Sequence, residues 1–122
     1  MIFDAFHASA LALPGTTFDV KWGADRVYSV GGKMFAVAGH EGEAEPRYSM
    51  KVSDASFDQL VEEGVAEPAP YMARAKWVRF KDGEAVPDDQ LVAYLRQAHA
   101  LIAAKLSRKA RVELGIAEPT AH

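Results

Sequence analysis

Basic and aromatic side chains are interleaved in residues 74–81, RAKWVRFK, a segment with four bases and no acid. A second run, residues 96–111, holds five more bases and again no acid. Lysine and arginine bind the phosphates of nucleic acids, and an exposed aromatic ring stacks on a base. The two runs therefore predict a nucleic-acid contact surface whose candidate residues are Arg74, Lys76, Trp77, Arg79, Lys81, Arg108, Lys109 and Arg111.

The same residues have a plainer interpretation. Trp77 is then a partly buried sheet residue that packs instead of stacking, and the bases keep an edge strand soluble. The whole chain carries 17 acids and 14 bases, a net charge of -3, so no strongly basic field draws it to nucleic acid. Nine of the bases nevertheless lie in the two runs, whereas residues 41–67 hold eight of the acids, so the charge is polarised along the chain.

Patterns that would indicate catalysis or metal binding are missing from the sequence. Histidines stand at positions 7, 40, 99 and 122, and no two have the i, i+3 or i, i+4 spacing of ligands on a helix. The chain has no cysteine, no Gly-x-Ser-x-Gly nucleophile elbow and no Gly-x-Gly-x-x-Gly phosphate loop. We therefore expect no enzyme activity, no metal and no cofactor.

The elements that must position the basic runs alternate between helical and strand patterns. Residues 2–11 place apolar side chains at helical spacing, and residues 25–52 follow the period of two that is typical of strands. The pair Gly31-Gly32 predicts a hairpin between the first two of three strands. Ser53 or Asp54 caps a second helix, Pro68 and Pro70 are expected to prevent regular pairing, and residues 75–80 form another strand.

The clearest element is a helix from about Asp88 to Leu106. One apolar stripe runs along it through Leu91, Leu95, Ala98 and Ile102. Together the elements predict an α+β fold of two layers, in which helices cover one face of an antiparallel sheet, in the order helix, three strands, helix, one or two strands, helix. We expect a single domain over residues 1–115 and a C-terminal tail over residues 116–122.

Alternation along the strands predicts which side chains share a face of the sheet. In residues 47–52 every second side chain is apolar, which turns the other three outward: Arg47, Ser49 and Lys51. In the strand of residues 75–80, Trp77 and Arg79 join the outward face if Val78 and Phe80 point inward. We therefore expect an open basic and aromatic face, with Lys33, Arg47 and Lys51 as additional candidates.

A set of short motifs follows in order along the chain: Leu13-Pro14-Gly15, Lys21-Trp22-Gly23, residues 31–36 (GGKMFA), residues 49–52 (SMKV), residues 68–72 (PAPYM) and Lys76-Trp77-Val78. This set resembles the MmcQ/YjbR-like family over nearly the whole chain, up to Leu106. In that family the last long helix usually carries Ser-Tyr where this chain has Ala98-His99.

The resemblance implies a bacterial protein with a helix-β3-helix-β2-helix fold, similar to secretion chaperones and to frataxin-like (CyaY-like) proteins. It also implies a DNA-binding role, through likeness to the double-wing domain of a phage transcription factor. The acidic iron-binding ridge of frataxin-like proteins is not expected, because the first helix has Asp4 as its single acid.

These observations predict a non-catalytic binding domain whose partner is duplex DNA, bound weakly and with strong salt dependence. The alternative is a module that binds an acidic protein or a small anion through the same cations. The N-terminus lacks a basic start and carries Asp4 and His7 in its apolar stretch, so we expect neither a signal peptide nor a membrane segment, and a cytoplasmic location.

Overall fold

The computed structural model describes residues 1–22, 25–39, 47–70, 72–80 and 86–116. Its helices are α1 (Phe3–Leu11), α2 (Asp54–Glu62), α3 (Asp88–Ala103) and α4 (Arg108–Glu113). Its strands are β1 (Thr16–Lys21), β2 (Asp25–Val30), β3 (Lys33–Ala38), β4 (Tyr48–Lys51), β5 (Ala66–Pro68) and β6 (Trp77–Phe80). The strands form one antiparallel sheet in the order β1-β2-β3-β4-β6-β5, which confirms the α+β fold of two layers.

Local sequence explains the turns and caps that were predicted. Gly31 and Gly32 both have positive φ, 58° and 80°, which a two-residue turn between β2 and β3 requires and which glycine adopts without steric cost. The Ser53 hydroxyl accepts a hydrogen bond from the backbone N–H of Ser56 (3.2 Å), so Ser53 is the N-cap of α2.

The structure adds two elements to the predicted order. Strand β1 pairs with β2 along its whole length, from Thr16 opposite Val30 to Lys21 opposite Asp25. The long helix ends at Ala103, and a new helix, α4, begins after Ser107, whose hydroxyl accepts from the N–H of Ala110 (3.1 Å). The last bases of the second run therefore lie on a separate short helix.

The expectation that prolines exclude pairing was wrong for β5. Residues Ala66–Pro68 pair with β6, with Ala66 opposite Phe80 and Pro68 opposite Val78. Strand β5 lies at the edge of the sheet, where a residue without an N–H is tolerated because one side of the strand has no partner.

The main core fills the space between the helices and one face of the sheet. The predicted stripe of α3 is buried there, with Leu91, Leu95, Ala98 and Ile102 all at most 6% exposed. The inward side chains of β4 and β6 join it, and the ring of Tyr48 stacks on that of Phe6 at 4.1 Å between centroids. Ile116, which we placed at the start of the tail, packs partly buried against this core, and residues 117–122 lie outside the described residues.

The opposite face of the sheet carries a second, smaller apolar cluster. Val27, Val37, Ala69 and Trp77 are buried in it, with Met34 and Met72 packed alongside. The predicted sidedness of Trp77 and Arg79 is thus confirmed, but the expectation of an open aromatic face was wrong. The segment after β5 covers the indole of Trp77, which is 4% exposed.

Strand β1 forms the other edge of the sheet, and its last five residues are exposed. The carboxylate of Asp19 accepts a hydrogen bond from the N–H of Val20 at 2.8 Å, next in sequence to the exposed Lys21. Among the described residues, none of the helices is both long and apolar enough to cross a membrane.

Candidate nucleic-acid interface

Bases from several segments meet at one end of the sheet, where β4 ends, β3 and β6 begin, and α3 leads into α4. The antiparallel register brings these strand ends together, since Lys51 at the end of β4 lies opposite Trp77 at the start of β6. We call this surface the basic end, and it consists of Lys33, Lys51, Arg74, Lys76, Lys105, Arg108 and Lys109.

Lys51 lies at the centre of the basic end. Its ammonium group donates a hydrogen bond to the carbonyl of Ala75, just before Lys76. Burial lowers the pKa of Lys51, the charges of Lys105 and Lys76 lower it further, and the carboxylate of Asp54 acts in the opposite direction. Lys76 and Lys105 therefore both lie within electrostatic reach of Lys51, although the three lysines come from different parts of the chain.

The β2–β3 hairpin ties the remaining bases to this end of the sheet. Gly31 lies against the side chain of Leu106, so closely that a Cβ at position 31 would come within 2.6 Å of both Cδ atoms. This contact places the hairpin, and with it the exposed Lys33, beside the connection that leads to Arg108 and Lys109.

Lys76 and Arg74 occupy the turn that precedes β6. Lys76 ends a 3₁₀ turn (Ala73–Ala75) with a left-handed backbone, φ 61°, and its ammonium group lies 4.8 Å from the centroid of the Phe57 ring. This cation–π contact holds the ammonium group of Lys76 against α2. Arg74 lies in the 3₁₀ turn and is exposed.

Three of the predicted residues are engaged elsewhere. Both Nε and Nη2 of Arg79 donate to one carboxylate oxygen of Glu67, at 2.8 and 2.5 Å. Nη1 of Arg111 donates to the carbonyl of Leu106 at 2.6 Å, so Arg111 holds the connection between α3 and α4. Trp77 is buried, so its side chain packs in the second cluster and stacking on a base does not fit this position.

Two further candidates, Arg47 and Lys81, do not belong to the basic end. Arg47 precedes β4 and therefore lies at the end opposite Lys51. Lys81 lies outside the described residues, as do the motif residues Gly23 and Tyr71 and two histidines, His40 and His122. Lys105 was not among our candidates, although its place within the second basic run was a usable signal.

The two described histidines have structural contacts. Nε2 of His99 lies 2.7 Å from the carbonyl of Pro14, and Nδ1 of His7 lies 2.8 Å from the hydroxyl of Tyr28. Within the described ranges, no group of three or more histidine, aspartate or glutamate side chains is arranged to hold a metal ion.

Comparison with known proteins identifies relatives by sequence and by fold. The family model described as YjbR matches residues 11–101. The crystal structure of Deinococcus radiodurans protein DR2400, with a DUF419 domain, superposes with a TM-score of 0.82 at 22% identity, covering 98% of this chain and 94% of that one. This likeness shows the fold. Among proteins with curated descriptions, none matches.

Proposed function

The chain belongs to the YjbR family, whose model matches well over half of its length, and we propose that it is a non-catalytic domain that binds duplex DNA weakly through the basic end. The convergence of Lys51, Lys76 and Lys105 supports this proposal most directly. Like charges repel one another, so placing several lysines close together lowers the stability of the folded protein. A bound polyanion offsets that repulsion.

The exposed cations of the basic end set the expected strength of binding. Each phosphate contact releases a condensed counterion, so a duplex that contacts the exposed Lys33, Arg74, Lys105 and Lys109 gives a slope of log affinity against log salt of about -4. The net charge of -3 opposes any long-range attraction to DNA. We therefore expect a Kd of about 10⁻⁴ to 10⁻⁶ M at physiological salt, the range of non-specific association.

A second function, binding of a small multivalent anion, is favoured by the position of Lys51. Its ammonium group is partly withdrawn from solvent, and burial is the largest cause of its lowered pKa. A small anion can enter between Lys51, Lys76 and Lys105, whereas a rigid duplex contacts mainly the outer, exposed cations such as Lys109.

Fluorescence anisotropy with a labelled duplex, measured over a series of salt concentrations, tests the DNA proposal. Replacing Lys105 and Lys109 together by Ala removes two phosphate contacts and should reduce the magnitude of the slope by about two units. The charge-matched control replaces Lys21 and Arg96, two exposed bases outside the basic end, and should leave the slope unchanged.

Two outcomes would overturn the proposal: no binding of the duplex at low salt, or equal losses in the Lys105/Lys109 variant and in its control. Thermal denaturation with pyrophosphate then tests the second function. A rise in Tm that depends on Lys105, without any binding of DNA, would assign the basic end to a small anion.

A further inference from the structure

A cleft of about 600 Å³ lies on the sheet face opposite the helices, beside the second apolar cluster. Its floor is apolar and is formed by Met34, Val37, Ala69 and Met72. The exposed Trp22 and Arg47 line it as well. This volume falls within the range of sites for small molecules, which are mostly apolar clefts with a few placed polar groups.

The sheet creates the cleft by leaving a gap in one row of side chains. Gly39 follows β3, and its N–H donates to the carbonyl of Arg47 at 2.9 Å, so the two residues are neighbours across the sheet. Because Gly39 has no side chain, the space beside Arg47 stays open above the backbone. The cleft therefore has a cationic wall at one end and an apolar floor in its middle.

Arg47 has the side chain best suited to bind an anion in this cleft. The other arginine in the lining, Arg79, has its charge engaged by Glu67. Asp25 also lines the cleft, and this residue is engaged by an interaction within the chain. The guanidinium of Arg47 forms no hydrogen bond or ion pair with any residue in the described ranges, and its planar donor fork matches a carboxylate.

Trp22 supplies a flat apolar wall. It is 62% exposed, an unusual position for the largest apolar side chain, and its backbone is left-handed with φ 52°. A bulky residue adopts this region at an energetic cost, and such residues are concentrated at functional sites. A planar ring lying against the indole would bury apolar surface that the protein leaves in water.

We propose that this cleft binds a small aromatic carboxylate. Its ring lies between Trp22 and the floor formed by Met34 and Val37, and its carboxylate is bound by Arg47. The site lies at the opposite end of β4 from Lys51, so it is separate from the basic end and does not depend on the proposed binding of DNA.

The protein reports on such a ligand through its two tryptophans, Trp22 at the cleft and Trp77 in the buried cluster. We would titrate ¹⁵N-labelled protein with 2-naphthoate and, separately, with 2-naphthamide, a neutral molecule of nearly the same shape. The indole N–H signals are assigned with Trp22→Phe. We expect saturable shifts of the Trp22 signal by 2-naphthoate, with 2-naphthamide binding about tenfold more weakly because it lacks the charge-assisted hydrogen bonds.

Replacing Arg47 by Met should weaken 2-naphthoate about tenfold and leave 2-naphthamide unchanged, so that the two probes bind alike. The matched control, Arg96→Met, removes an exposed arginine of α3 that lies outside both surfaces, and it should leave both affinities unchanged. Equal binding of the two probes to the unmodified protein would overturn the proposal, as would a 2-naphthoate affinity that is unchanged in the Arg47 variant. Saturating 2-naphthoate should leave duplex affinity unchanged, so failure of either proposal is seen independently of the other.

Discussion

Replacing Gly31 by Ala should destabilise the protein much more than the same change at its neighbour Gly32. Both residues have positive φ, 58° and 80°, so an alanine at either position carries a similar left-handed penalty of about 1–2 kcal/mol. Replacing a glycine also lowers the conformational entropy of the unfolded chain. This effect is the same in the two variants, so it cancels in the difference between their free energies of unfolding. What differs is the space beside each residue.

A Cβ at position 31 would lie 2.6 Å from both Cδ atoms of Leu106, whereas a Cβ at position 32 would meet nothing within 4 Å. The side chain of Leu106 is 9% exposed and belongs to the main core, so its rotation costs packing energy. Crowding of a packed core by one methyl group costs about 1–3 kcal/mol. We therefore expect Gly31→Ala to exceed Gly32→Ala by about 1–3 kcal/mol in free energy of unfolding.

Equilibrium unfolding in urea measures this difference from the midpoints, provided that the m-value stays constant. Both substitutions are then repeated in a Leu106→Ala background, where the clash is removed. In that background the losses of unfolding free energy caused by the two glycine substitutions should agree within about 0.5 kcal/mol, because the side chain that interacts with the new methyl group is gone. Equal losses in the original background, or an excess at Gly31 that survives without Leu106, would refute the packing of the hairpin against the α3–α4 connection.

Two further predictions concern the main core. Ile102→Ala should lower the free energy of unfolding by about 2–5 kcal/mol, because Ile102 is 6% exposed. The control, Val112→Ala on the exposed face of α4, should lower it by less than about 0.5 kcal/mol. If urea unfolding ranks the two variants the other way, the packing of α3 is contradicted. Stability should also fall in alkali, between about pH 10 and 12. Burial raises the pKa of Tyr48 from 10.0 to about 12, and it raises the pKa of Tyr28 as well. The folded state therefore holds these two protons more tightly than the unfolded chain does. Urea midpoints measured from pH 8 to 11 should show this fall, and Tyr48→Phe should make it shallower; a midpoint that stays constant over this range would count against it.

Elements with strong periodicity were predictable from sequence, and those at the margins were not. Strands β2 and β3 are rich in apolar residues because one of their faces is buried in the main core and the other carries the second cluster, and the stripe of α3 is regular because one side of that helix is buried. Strand β1 has no such constraint, since all of its residues except Thr16 are exposed at the sheet edge. Ser107 was the signal for α4, because serine is a common N-cap, but its neighbours also fit the end of a longer helix.

The candidate surface was predictable only in part, because its geometry depends on contacts between distant segments. Alternation assigned Lys51 and Trp77 to the correct side of the sheet, but it carries no information on what covers that side. The pairing of Arg79 with Glu67 depends on β5 joining the sheet, and Pro68 and Pro70 had predicted that this segment does not pair. The approach of Lys105 to Lys51 follows from the packing of α3 across β4, which no local pattern encodes.

The two edges of the sheet determine how the molecule behaves at high concentration. An exposed edge strand is a template on which a strand of another molecule can add, and repeated addition produces fibres. At β1 the carboxylate of Asp19 already occupies the N–H of Val20, so an incoming strand would have to displace it and would bring its backbone against two charged side chains. At the other edge, Pro68 provides no N–H at all. Growth of the sheet beyond six strands is therefore opposed on both sides, and substitutions at Asp19 or Pro68 are the ones to avoid when the protein is concentrated.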